Sequence, residues 1–231
     1  MMQRYSLIAC ATLMLTAGLA VAQPRAGEWV SYRDAYRAMV QFYKYGGPKH
    51  LLQQHLQLVP REKGVLGEGV QLTLQGRSVQ SSLALDATGR GVLPLVKSAY
   101  DENAVLAPNR PLGGFTVRPR VSLALRADGA YDAAGLRAAC EQALGFARYA
   151  YASARTLQCA GVRLVFAKQG VDASVRVRAG GGEQVLALAR GAAFAGDLDD
   201  DFPVAVYRFG GRADAQLVTY NAPLAIVPLF E

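Results

Sequence analysis

The chain has two histidines, His50 and His55, the only side chains whose ordinary pKa suits acid–base work near neutral pH. Their spacing is not that of two zinc ligands on successive turns of a helix. On a strand, an odd separation sends them to opposite faces. Serine nucleophiles need a recognisable setting, and no G-x-S-x-G occurs. Ser78, Ser81 and Ser82 fall in or beside alternating stretches, and Ser122 sits between apolar neighbours; none has a partner legible in the sequence. Gly180-Gly181-Gly182 lacks the Lys-Ser or Lys-Thr of a phosphate-binding loop and reads as a hairpin turn. Tyr100-Asp101-Glu102 reads as a turn.

The densest acidic run is Asp197-Leu198-Asp199-Asp200-Asp201. Its alternate acids Asp197, Asp199 and Asp201 are the candidate metal ligands, suited to calcium by charge and oxygen chemistry. The glycine and glutamate of an EF-hand loop are missing, so a solvated loop is the default reading. Two carboxylates flanking a cleft would serve a glycosidase, but no pair here stands out. No catalytic residue and no cofactor site is assigned from the sequence.

Two helices are expected to position these groups. Ser31 followed by Asp34 resembles a capping box, and Tyr32, Ala35, Tyr36, Met39, Val40 and Tyr43 follow at helical spacing until Gly46-Gly47-Pro48. A second helix follows Asp128-Gly129, with Leu136, Cys140, Ala143, Leu144, Ala147 and Tyr151 on one face. Between and after them lie short strands, with a period-two apolar pattern around His55–Val59, Val70–Leu74 and Val79–Leu85, further strands at Val92–Leu95, Phe115–Leu125 and Val162–Phe166, and a long apolar segment, Pro223–Phe230, that suits a buried strand. Short alternating strands with Gly and Asp turns predict an α+β fold with antiparallel, sandwich-like sheets.

The order of helix, strands and turns occurs twice. Laying Val70–Leu74 on Val162–Phe166 brings Val79 to Val171, Ser82 to Ser174, Ala87 to Ala179 and Gly89 to Gly181. The expected organisation is therefore two repeated helix-plus-sheet units, residues 23–128 and 129–231.

Residues 1–22 read as a cleavable signal peptide. Arg4 precedes an apolar stretch from Leu7 to Ala20, and Ala20-Val21-Ala22 offers the small residues a signal peptidase requires. The run is short for a transmembrane anchor and is interrupted by Thr12, Thr16 and Gly18. Leu7-Ile8-Ala9-Cys10 also resembles a lipid-attachment site, but the apolar run continues past Cys10. The expected location is periplasmic or secreted, with no transmembrane segment after cleavage.

Two cysteines follow the signal, Cys140 and Cys159, and an even count in an oxidising compartment predicts a structural disulfide between the second helix and the next strand. The formal charge of +7 is spread along the chain, without the local basic patch of a nucleic-acid binder. The function expected is a non-enzymatic binding or accessory module of the cell envelope, taking a peptide, a protein or an anionic polymer at a strand edge or between the halves. The alternatives are a hydrolase of an envelope polymer and a calcium-stabilised module.

Overall fold

The computed structural model describes residues 28–169, 172–210 and 214–231. The expected signal peptide, its cleavage site and Cys10 lie outside the described residues.

Strand β1 (Val30–Ser31) leads into helix α1 (Tyr32–Lys44). The Ser31 hydroxyl accepts from the Asp34 N–H at 3.3 Å, satisfying a donor that the first helical turn leaves orphaned. Tyr32, Ala35, Met39 and Phe42 form its buried stripe. The helix stops before Gly46-Gly47-Pro48, where the Lys49 ammonium donates to the carbonyls of Phe42, Tyr43 and Tyr45 at 2.8, 2.9 and 2.6 Å. That cation both satisfies terminal carbonyls and complements the negative end of the helix dipole.

Strands β2 (Leu52–Pro60), β3 (Gln71–Gln75), β4 (Gln80–Ala84) and β5 (Arg90–Gly91) follow, then the short helix α2 (Lys97–Asp101) and strands β6 (Val105–Pro108) and β7 (Phe115–Leu123). Strand β8 (Ala130–Asp132) starts helix α3 (Ala133–Ala150), with the Asp132 carboxylate accepting from Gly135 N–H at 2.5 Å. A single 3-10 turn at Ala152–Ala154 precedes β9 (Cys159–Val165), β10 (Val175–Ala179), β11 (Gly182–Val185), β12 (Leu188–Gly191), β13 (Phe202–Arg208), β14 (Gln216–Thr219) and β15 (Ala225–Phe230).

Every pairing is antiparallel. The strands form two four-stranded sheets, β1-β6-β3-β4 and β8-β14-β10-β11, and one seven-stranded sheet, β12-β13-β9-β15-β7-β2-β5. Among the described residues the fold is α+β, mostly sheet with three α-helices. One core lies between α1, the first small sheet and the β2 end of the large sheet, built on Tyr32, Met39, Leu56, Leu72 and Leu106. A second lies between α3, the other small sheet and the β9 end, built on Leu136, Leu164, Phe166, Leu217 and Ile226. Phe42, Leu52, Ala143 and Phe146 join the two helices.

Cys140 on α3 and Cys159 at the start of β9 form a disulfide, their Cα atoms 6.0 Å apart. Gly180 and Gly181 occupy the two central positions of the β10–β11 hairpin with φ of 56° and 80°, the left-handed pair a two-residue turn requires.

Three local expectations differ. Val92–Leu95 is not a strand: β5 ends at Gly91, and the Pro94 and Val96 backbone instead bonds the Tyr32 hydroxyl. Tyr100 and Asp101 close a short helix rather than a turn. The match of Val70–Leu74 to Val162–Phe166 equates β3 with β9, which stand in different sheets. Alternation records which residues face inward, not which sheet the strand joins.

Candidate functional site

The outer face of the large sheet carries a buried polar network that ties the two ends of the chain together. On β2 and its neighbours, Gln53 opposes Ser122, His55 opposes Arg120, and Gln57 lies between Arg118 and Arg90. The segment before β13 folds over this face. Arg120 donates to the Asp197 carboxylate and to the Gln57 side-chain oxygen, each at 2.6 Å. Gln57 in turn donates to Asp197 at 2.8 Å and to the Thr88 carbonyl at 2.9 Å. Arg90, only 4% exposed, grips Asp86 through two nitrogens and also donates to the Leu224 carbonyl. The guanidinium carbons of Arg90 and Arg120 lie 5.3 and 4.9 Å from the centre of the Phe194 ring. Two cations on one buried ring are tolerable because each also reaches a carboxylate.

The acidic run is thereby distributed rather than gathered. Asp197 meets Arg120, Asp199 meets Lys168 at 2.5 Å, and Asp200 and Asp201 meet Lys63 at 2.5 and 3.1 Å. The candidate ligands Asp197, Asp199 and Asp201 each answer a different cation, and among the described residues no cluster of three His, Cys, Asp or Glu could hold a metal ion. The spacing in sequence was real, but the ion-pair partners come from distant strands and loops that no local pattern reveals.

The histidines do not share a strand: His50 lies in the turn before β2 and His55 within it. His50 is exposed beside the Gln142 amide at 3.4 Å. His55 is half-buried, and its Nδ1 makes no hydrogen bond to the described protein. Burial, reinforced by the Arg90 charge, pushes its pKa below the ordinary imidazole value, so it sits neutral among cations. Ser122 is fully buried and accepts from Gln53 at 3.2 Å and from Arg90 at 3.4 Å. The Ser78 N–H donates to Glu102, and Ser81 and Ser82 lie on β4.

The large sheet is stitched between its two ends at one rung, Ile226 opposite Leu123. Backbone parity explains the stop. Arg61 N–H donates to Gly114 and Leu58 N–H to Gly89, so odd residues of β2 bond toward β7. In β7, the peptide groups of Val117, Pro119, Val121 and Leu123 therefore face β15. Phe166 N–H donates to Pro203, which by the same alternation turns Ile226 and Pro228 toward β7. Continuing the register would place Val121 opposite Pro228, which has no N–H to give, and Pro119 lacks one as well. Both edges of the seam are blunted by proline.

The far edge of the sheet is treated differently. In β12 the peptide groups of Ala189 and Gly191 bond to β13, while those of Leu188 and Arg190 point outward. No proline lies in this strand, and Leu188 is 40% exposed, three residues after Val185 of β11 at 61%. The Arg190 side chain bends back to donate to the Asp201 carbonyl at 2.9 Å rather than guarding the edge.

Among the described residues no helix is long and apolar enough to cross a membrane. Set against family models, curated proteins and solved structures, the chain matches none of them.

Proposed function

We propose that this is an exported, non-enzymatic binding module of the cell envelope, periplasmic or secreted, that captures an extended polypeptide along β12. The observation that carries the reading is the contrast between edges. The inner seam has two prolines in place of ladder donors, whereas the outer edge keeps its N–H groups, exposes Leu188 and Val185, and has its one charge tied back. An open edge with apolar side chains beside it supplies main-chain hydrogen bonds for affinity and side-chain contacts for selection. The disulfide between Cys140 and Cys159 supports an oxidising location.

The same reading takes the chain as two related units, 23–128 and 129–231. In each, the strand that begins the unit ends in the cap residue of its helix, Ser31 or Asp132. The first helical N–H then reaches across to a neighbouring carbonyl, Tyr32 to Ala104 and Ala133 to Ala215, in each case the residue just before the strand that pairs with the opening strand. The small sheets run β1-β6-β3-β4 and β8-β14-β10-β11, the same order within each unit. By this correspondence β3 is the counterpart of β10 and β2 of β9. Strand β13 stands beside β9 as β5 stands beside β2, both antiparallel, so β12 and the network-forming segment before β13 are the additions of the second unit.

The test replaces one outward N–H. Arg190→Pro removes the donor without touching a bond to β13, and Arg190→Ala removes only the side chain. Peptides selected on the wild-type protein from a random extended library should lose at least about tenfold in affinity with Arg190→Pro and little with Arg190→Ala. Equal binding by both variants, with unchanged melting, would refute capture at this edge.

A further inference from the structure

A second surface, independent of the β12 edge, is assembled where the C-terminal ends of α1 and α3 meet. Phe42 and Phe146 pack edge to face at 5.2 Å and are nearly buried, 8% and 6% exposed. Tyrosines lie over and around them. Tyr45 stands 5.6 Å from Phe146 and 5.3 Å from Tyr149, and Tyr43 stands 6.2 Å from Phe42. Tyr43, Tyr149 and Tyr151 are 60%, 55% and 51% exposed. Gly145 makes room for the central ring, since a Cβ there would come 2.6 Å from the Tyr45 hydroxyl. The Lys49 ammonium holds the turn that carries Tyr45 and lies 5.5 Å over the Phe42 ring. The rings are thus presented by two anchored helix ends, and fixed rings lose little entropy when they bind.

The charge around them is mostly positive. Segments 41–50 and 145–158 contain Lys44, Lys49, Arg148 and Arg155 and no aspartate or glutamate. Among the described residues none of these four is ion-paired with a carboxylate. The exceptions are Glu141, exposed on α3 one turn before Gly145, and Glu231, whose backbone pairs with Gln158 and whose carboxylate is engaged by Arg208. Lys44, Arg148 and Arg155 are exposed.

We propose that this surface binds an anionic polysaccharide. Exposed tyrosine faces offer flat apolar area to the C–H side of a sugar ring, and their hydroxyls meet its polar rim. Lys44, Lys49, Arg148 and Arg155 outnumber Glu141 and the Arg208-engaged Glu231, so the surface keeps a net attraction for a polyanion. The chemistry does not fit a lipid surface as well: docking into a bilayer uses protruding Phe, Trp or Leu, and here the phenylalanines lie beneath the tyrosines. Nor is it the apolar centre of a protein interface, because the described segments 41–50 and 145–158 that carry the rings have no exposed Leu, Ile, Val or Met.

Affinity electrophoresis of the full chain through gels containing polygalacturonate tests this, with dextran as the uncharged control and phosphatidylglycerol vesicles in a parallel sedimentation assay. The wild type should be retarded by polygalacturonate and not by dextran. The double variant Tyr43→Ala/Tyr149→Ala should weaken retardation about tenfold. Arg155→Glu should weaken it as well, while Arg110→Glu, the same charge change at an exposed site after β6 that contacts the Val65 carbonyl, should not. Melting curves of the variants check that they fold. Absence of retardation overturns the proposal, as does insensitivity to the tyrosine change or equal loss with Arg110→Glu. Tyrosine-dependent sedimentation with the vesicles in place of retardation would assign the surface to lipid and overturn it too.

Discussion

Asp197 bonds at once to Arg120 and Gln57, both far away in the chain, and is itself only 7% exposed. Removing its carboxylate strands a largely buried guanidinium, so Asp197→Ala is expected to cost about 3 kcal/mol of stability. Asp197→Asn, which keeps one acceptor for Arg120, should cost less; urea unfolding midpoints of the two variants check the order. The sequence showed a run of acids and could not show their partners, because Gln57 and Asp197 are 140 residues apart. What was legible was the pair of glycines in the β10–β11 turn, a property of neighbouring residues. The tyrosine surface was half legible. The aromatic stripe of α1 stood out, but nothing in the pattern said that the end of α3 would bring Tyr149 beside Tyr45.

Helices were readable because their signals are local. Ser31 and the stripe after it define α1, and the small-residue face of Leu136, Cys140, Ala143 and Leu144 defines α3. Strands were readable as strands, yet not as members of a particular sheet. Alternation at Val92–Leu95 would have been satisfied by a strand, but the Tyr32 hydroxyl takes that backbone instead. The prolines of the seam carry a clear positional meaning once parity is known. Pro228→Val returns a donor opposite Val121. Amide exchange at Val121 and at residue 228 should then be slowed about tenfold relative to exposed edges, the effect of about one added hydrogen bond. Exchange as fast as in an exposed edge strand would show that the seam is held apart by something other than the missing N–H.

On the scale of the molecule, the α+β class was legible from composition and period, whereas the sharing of one sheet by both ends of the chain was not. That sharing makes the proposed units interdependent. The first contributes β7, β2 and β5 and the second β15, β9, β13 and β12, and the Asp197 segment closes over residues of the first. Residues 23–128 and 129–231 produced separately are expected to lack a cooperative melt, while the whole chain unfolds in a single transition. Circular dichroism of each half, and of the two mixed, decides this; two independent sharp melts would make the units autonomous domains.

The crosslink from α3 to β9 spans only 19 positions. A closure so short can be made while most of the chain is still searching. It pins in advance the strand onto which both β13 and β15 must zip, one arriving from the following segment and the other from the chain's far terminus. Oxidation thus supplies a template for distant pieces, and a reduced chain would have to assemble its widest layer around a centre that is not yet held in place.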